Sequence, residues 1–427
     1  MNESVILEIL KAYGGAIVEK VVITGMGAIC SIGKSVPEIW QNLINGVSGA
    51  GEITLFDNSD LIVKIACEVK DFDPSDYISA KDARRRDRHQ IFAAIAVREA
   101  LLQAGISSSE VDPERVGMVI SSGIGGITAL EKNILEMERR GARRVNPFLI
   151  PMLMPNGAAG QTGIDHQFKG PAISVASACA SAQDGIGTAK MMIQTGMADV
   201  VIAGGAEASI TKIGVSAFDR IGATSRAEPG SVAPRPFDLN RDGLVVGEGA
   251  GILILETETH AKSRGAKILG ELAGYGATVD AFHITAPTED GSGSSRAVNL
   301  ALKDAGLAID DIGYINAHGT GTQLNDSSET NAIKRSFGKH AYDLHMSSTK
   351  SMTGHMMGAT GALEAIICTK AIQAGILPPT INYETPDPEC DLNYVPNKAM
   401  KKDINAAITD AFGFGGHNSV LVIKKYS

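Results

Sequence analysis

No uninterrupted apolar run in the sequence reaches the roughly 18 residues that would suggest a membrane span. Residues 1–20 carry Glu3 and Glu8 and lack a basic leader segment, so a signal peptide is not expected either. Cysteine is scarce: Cys30, Cys67, Cys179, Cys368 and Cys390 make an odd count of five, widely spaced, with no CxxC pair and no metal-ligand spacing. Free thiols in a reducing, cytoplasmic compartment fit that usage, and no metal is expected. Positive charge is also in deficit. The formal net charge of -9 disfavours bulk binding to nucleic acid or to an anionic membrane. Aromatic residues make up only 5%, whereas 48 glycines favour tight turns and close backbone packing. What remains is an ordinary globular balance, 44% hydrophobic and 20% charged, in 427 residues. That length suits two to three folding units or one large duplicated one.

Short β-branched runs alternate with helical patterns. Residues 21–25, 116–122, 200–203, 252–255, 312–316 and 420–423 read as buried strands, and 91–104 and 296–305 as helices between them. This alternation predicts a layered α/β fold. The chain also repeats itself. AVREALLQAGI at 96–106, an acidic turn and VGMVISS are echoed by AVNLALKDAGL at 297–307, an acidic turn and IGYINAH. A helix ending MIQTG at Gly196 resembles one ending AIQAG at Gly375, and GAGILILE resembles GHNSVLVI. Three matches in one order argue for a duplication, with halves of roughly 21–260 and 261–427 after an extension of residues 1–20.

Cys179 sits in VASACASA, between an apolar run at 172–175 and a helical pattern from about 180 to 194. A thiol at a strand-to-helix turn meets unpaired N–H groups and the helix dipole, which are expected to lower its pKa. A lone cysteine is also commonly a buried structural residue, so placement alone leaves both readings open. His318 follows the strand at 312–316 in NAHGTGT, at the carboxyl end where α/β folds place ligands. Thr320 and Thr322 add hydroxyls there, although a histidine satisfying a turn would look the same. His355 ends STKSMTGH, five residues after Lys350, and no nearby carboxylate in that segment pairs the lysine. Such a lysine, partly buried, is costly and often functional. FGFGG at 412–416 lies between two strands and lacks the Lys-Ser/Thr of a phosphate-binding loop.

These motifs, ACASA at Cys179, NAHGTGT at His318, SSTKSMTGH at His355 and AFGFGGHNS around Phe414, occur in the order seen in β-ketoacyl-[acyl carrier protein] synthases. RPFDLNRDGLVVGEGAG at 235–251 is also typical of them. The resemblance spans about 21–424 and is nearest to the type II elongating enzymes of bacterial and organellar fatty acid synthesis. It implies a thiolase-like α/β fold of two duplicated βαβαβαββ halves in five α-β-α-β-α layers, usually a homodimer. It implies that Cys179 takes an acyl group from a carrier-protein thioester, that His318 and His355 act on malonyl-carrier protein, and that Lys350 and Glu364 belong to the active-site region. Thr285, Thr320 and Thr322 match residues lining a pantetheine channel, and Phe414 matches a mobile gate. Lys81, Arg84, Arg85, Arg143 and Arg144 match a docking surface for the acidic acyl carrier protein. No cofactor is implied beyond the phosphopantetheine on the carrier. Two departures stand out: His417 replaces a threonine common in bacterial enzymes, and residues 1–20 exceed the usual start. A polyketide or specialised-lipid ketosynthase, or an inert chain-length-factor-like partner, would share this fold, but the latter lacks the reactive cysteine.

Overall fold

The first strand, expected over 21–25, runs on through Gly25 and Gly27 and spans Val21–Cys30. In the computed structural model, which describes residues 19–427, a helix crosses so close to this strand that a Cβ on Gly27 would lie 1.9 Å from the Ala96 carbonyl oxygen. The same device recurs in the second half, where a Cβ on Gly276 would lie 2.3 Å from the Ala297 oxygen. These glycines set helix-to-strand distance rather than end a strand.

Ten strands form the main sheet: β1 (Val21–Cys30), β2 (Val116–Ser121), β3 (Ala172–Ile173), β4 (Val200–Ala208), β5 (Glu248–Thr257), β6 (Gly270–Val279), β7 (Tyr314–Asn316), β8 (Met346–Ser347), β9 (Ala406–Gly413) and β10 (His417–Lys424). Their order is β8-β7-β9-β10-β6-β1-β5-β4-β2-β3. Read outward from the centre, β1-β5-β4-β2-β3 and β6-β10-β9-β7-β8 are the same sequence of elements. In each, two antiparallel pairings are followed by two parallel ones. The halves join where β1 meets β6 over Val22–Glu271 and Ile23–Gly270. The duplication read from sequence is therefore present in topology and register.

Helices complete the layers: α1 (Arg88–Ala104), α2 (Gly157–His166), α3 (Ser181–Gln194), α4 (Ser292–Ala305), α5 (Gln323–Phe337) and α6 (Thr360–Ala374). α3 and α6 lie between the two halves. Ile186, Leu363 and Ile366 pack in one core with Val201 and Leu253 of the first half and Ala407 and Leu421 of the second. The next residue along each strand faces the other way: Ile202 and Ile254 meet α1, and Ile408 and Val422 meet α4 and α5. Period-2 alternation with both faces covered explains why the strands are continuous apolar runs. α6, flanked by sheets, is buried on nearly every side. The result is five layers, α-β-α-β-α. The run at 172–175 forms a strand only over Ala172–Ile173, a short edge whose residues stay exposed. Of the extension, Glu19 and Lys20 are described: Lys20 accepts the Glu258 N–H at 2.9 Å, and residues 1–18 lie outside the described part. No helix among the described residues is long and apolar enough to cross a membrane.

Candidate active site

Segments from the two halves converge on one cavity of about 270 Å³. Cys179, His318, His355, Thr285, Thr320, Thr322 and Phe414 all line it. The cysteine sulfur and one nitrogen of each histidine lie within 4.8 Å of one another. His355 Nε2 is 3.0 Å from Cys179 Sγ, and the two imidazoles stand edge to face with centroids 5.3 Å apart.

Cys179 sits in a single tight turn, Ala178–Ala180, that leads directly into α3. Ala178 adopts φ +52°, a left-handed conformation that strains a residue carrying a Cβ. The turn is held from both sides. The Ser177 N–H donates to Ser181 Oγ at 3.0 Å, and Ser181 Oγ donates to the Ala178 oxygen at 2.6 Å. Ser177 Oγ donates to Asp184, whose other oxygen accepts from Tyr275 of the second half at 2.9 Å. Gly413 packs against this turn so tightly that a Cβ there would lie 2.8 Å from the Ser177 oxygen.

The thiol differs from the sequence expectation. Burial pushes it up to about 12, against the pull of the Lys350 ammonium and of the main-chain N–H groups of Phe414 and Cys179 itself, and the Glu207 carboxylate adds to the rise. Desolvation outweighs the helix terminus because the sulfur is withdrawn from water. The resting group is a thiol that needs a base. Both histidines are held well below their ordinary range, first by burial and then by Lys350. Neutral rings result.

Lys350 is not unpaired, as the local sequence suggested. Its Nζ lies 2.5 Å from Glu364 Oε1, a partner brought from α6 by the fold, and 3.3 Å from the Ala317 oxygen. The pair is buried behind the cavity rather than on its wall. Burial pushes the Glu364 carboxyl up and Lys350 pulls it down. Lys350→Ala would strand that carboxylate and should cost about 3–5 kcal/mol, read as a fall in the urea midpoint. The double variant Lys350→Met/Glu364→Leu, which removes both charges, should recover most of that stability.

Several contributors were invisible in the sequence. Thr360 Oγ1 lies 3.1 Å from His355 Nδ1. The His355 main chain is pinned to the 235–251 motif: its N–H donates to the Val245 oxygen at 2.8 Å, and its oxygen accepts from Gly247 at 2.8 Å. Arg241 of that motif is buried against Asp387 and lies 3.7 Å from Asp326. The motif thus holds one histidine in place, and its Asp242, Gly243 and Leu244 line the cavity.

The basic clusters divide. Arg86 and Arg88 turn inward to Asp165 and Glu248, each at 2.6 Å. Lys81, Arg84, Arg85, Arg143 and Arg144 are exposed. Asn146 ties the two clusters by donating to the Arg84 oxygen at 3.0 Å, and Arg85 lies over the Phe148 ring at 4.6 Å.

A duplicated five-layer fold, with cysteine and histidines meeting between its halves, defines a thiolase-type condensing enzyme. The chain belongs to the β-ketoacyl synthase family: residues 18–261 match the model "Beta-ketoacyl synthase, N-terminal domain" and 269–384 the model "Beta-ketoacyl synthase, C-terminal domain". It is 46% identical over 409 residues to the 3-oxoacyl-[acyl-carrier-protein] synthase 2 of Synechocystis sp., covering 96% of this chain and 98% of that protein. It is 47% identical over 408 residues to the enzyme of the same name from Staphylococcus aureus, covering 96% and 99%. Among solved structures it superposes, with TM-score 0.87 and 34% identity over 96% of this chain and 100% of the other, on a type II polyketide acyl-carrier protein in complex with its ketosynthase.

Proposed function

We propose that this chain catalyses decarboxylative Claisen condensation of acyl-[acyl carrier protein] with malonyl-[acyl carrier protein], giving 3-oxoacyl-[acyl carrier protein], CO₂ and free carrier protein in fatty acid elongation. The observation that carries it is the 3.0 Å contact between Cys179 Sγ and His355 Nε2, with His318 beside both in one cavity. Higher identity to the two synthases named above than to the polyketide ketosynthase favours fatty acid over polyketide chemistry.

In the first step Cys179 Sγ attacks the acyl thioester carbonyl. Its proton passes to His355 Nε2 and then to the departing carrier thiol, so acyl-S-Cys179 and HS-carrier form. The N–H groups of Cys179 and Phe414 face the sulfur and are placed to hold the tetrahedral oxyanion; one such donor can be worth about 3 kcal/mol. In the second step malonyl thioester loses CO₂ and leaves an enolate, whose oxygen needs donors. Neutral His318 and His355 each supply one N–H. His355 must accept in the first step and donate in the second. The Thr360 hydroxyl permits this because it can donate to or accept from Nδ1. In the third step the enolate carbon attacks the acyl-cysteine, the C–S bond breaks, and the sulfur regains a proton from solvent. Lys350, held by Glu364, keeps both rings neutral, and Phe414, on a turn of two left-handed glycines, Gly415 and Gly416, gates the cleft. No cofactor is needed beyond the carrier's phosphopantetheine, for which Thr285, Thr320 and Thr322 line the channel.

The enzyme works in the cytoplasm as a homodimer. The short exposed edge strand β3, with Ile173 39% exposed, is where a second copy would extend the sheet. The joined basic surface docks the acidic carrier protein. Reversing charge at Arg84 and Arg143 should raise KM for acyl-carrier protein at low salt, with the difference shrinking as ionic strength rises. An unchanged KM at low salt would place docking elsewhere.

A further inference from the structure

Behind His318, two carboxylates meet. Glu329 of α5 and Asp410 of β9 accept the same His318 main-chain N–H, at 2.8 and 2.7 Å. Glu329 Oε1 and Asp410 Oδ1 therefore face each other across one donor. Both side chains are buried. Glu329 Oε2 has donors of its own, the Gly319 N–H at 2.7 Å and Asn325 Nδ2 at 3.1 Å, whereas Asp410 Oδ2 has no partner among the described residues. The surrounding charge does not balance the pair. Lys350 is committed to Glu364 at 2.5 Å, and Arg241, 3.7 Å from Asp326 one turn before Glu329 on α5, is shared with Asp387. Cys368 of α6 and Tyr394 are uncharged neighbours, and His318 itself is neutral. Glu329, Asp410 and Glu364 thus share a single ammonium.

Like charges in contact in a medium of low dielectric cannot both persist. We infer that Glu329 and Asp410 hold one proton between them and act as a positioning pair for His318, clamping its main chain so that its ring faces the developing enolate. A second ionisation breaks the carboxyl–carboxylate contact, drives the two oxygens apart and releases the clamp. Burial pushes both carboxyls up and Asp410 raises Glu329 further, whereas the His318 N–H, Lys350 and the hydrogen bond with Glu329 pull Asp410 back down; the ionisation belongs to the pair rather than to either member. The sign for stability follows. The native pair keeps a proton that the unfolded chain releases in the ordinary carboxylate range. Its contribution is full below that range and is lost as pH rises through the native ionisation.

The functional arm of the test rests on the condensing reading; the spectroscopic arm does not. In the full-length protein at neutral pH, infrared difference spectra of wild type against Asp410→Asn should show a protonated-carboxyl C=O band that disappears on alkaline titration. Glu329→Gln is the second variant should the first not fold. Malonyl-carrier protein decarboxylation by wild type should fall about tenfold per pH unit above the pair's ionisation. Asp410→Asn, which leaves the pair without a second carboxyl to ionise, should lack that pH-dependent fall whatever its rate at the plateau, and acyl transfer to Cys179 should show no matching fall. A missing band, which would mean that both groups are ionised, overturns the inference, as do superimposable pH profiles of wild type and Asp410→Asn. An enzyme that shows the band but never decarboxylates malonyl-carrier protein would refute the condensing reading and leave the shared proton standing.

Discussion

Cys179→Ala is expected to abolish condensation, by roughly 10⁴-fold or more, the scale of removing a nucleophile from a site that otherwise still binds and polarises its substrate. The acyl-enzyme should vanish with it. The loss has one cause: no other thiol can substitute. Cys30, Cys67, Cys368 and Cys390 are buried, and none of them lines the cavity that holds the two histidines. Decarboxylation of malonyl thioester should survive in part, because the two imidazoles proposed to stabilise the enolate do not depend on the sulfur. Stopped acyl transfer with continuing CO₂ release is therefore the signature; intact-mass spectra and labelled CO₂ read the two halves separately.

His318→Ala should produce the mirror image. Its ring packs beside His355 and 5.7 Å from Phe412, with its main chain clamped from behind. It makes no hydrogen bond to Cys179; His355 does. Acylation of Cys179 should proceed while decarboxylation and condensation fall about 10²–10³-fold, the loss expected from one oxyanion donor. His355→Ala should impair both halves, since that ring is proposed to serve the sulfur first and the enolate second. Equal losses in acylation and decarboxylation for His318→Ala would show that the two histidines do not divide the work in this way.

The parts of this site that were legible in the sequence are those the chemistry fixes locally. A cysteine ahead of α3 and a histidine just past β7 carry small neighbours and turn residues in fixed spacing, so motif and position point the same way. The duplication was legible because α1 and α4 end in the same left-handed glycine, Gly105 and Gly306, before the same turn and strand. What was not legible depends on contacts between distant segments. Lys350 has no partner within its own segment, and Glu364 reaches it only because α6 packs beneath. The direction of the Cys179 shift was misjudged because helix-terminus chemistry is local whereas desolvation belongs to the assembled cleft. The strand read over 21–25 extends to Cys30, and nothing within β1 announces the helix that crosses it at Gly25 and Gly27. Asp410 and Glu329 lie 81 residues apart, and only the His318 N–H unites them.

The most direct test is to map where the acyl group goes. The full-length enzyme, incubated with acyl-carrier protein and then digested, should carry the acyl mass on the peptide containing Cys179 alone, and addition of malonyl-carrier protein should discharge it as 3-oxoacyl product. An acyl group on any of the other four cysteines, or condensation with none found on Cys179, would contradict the account.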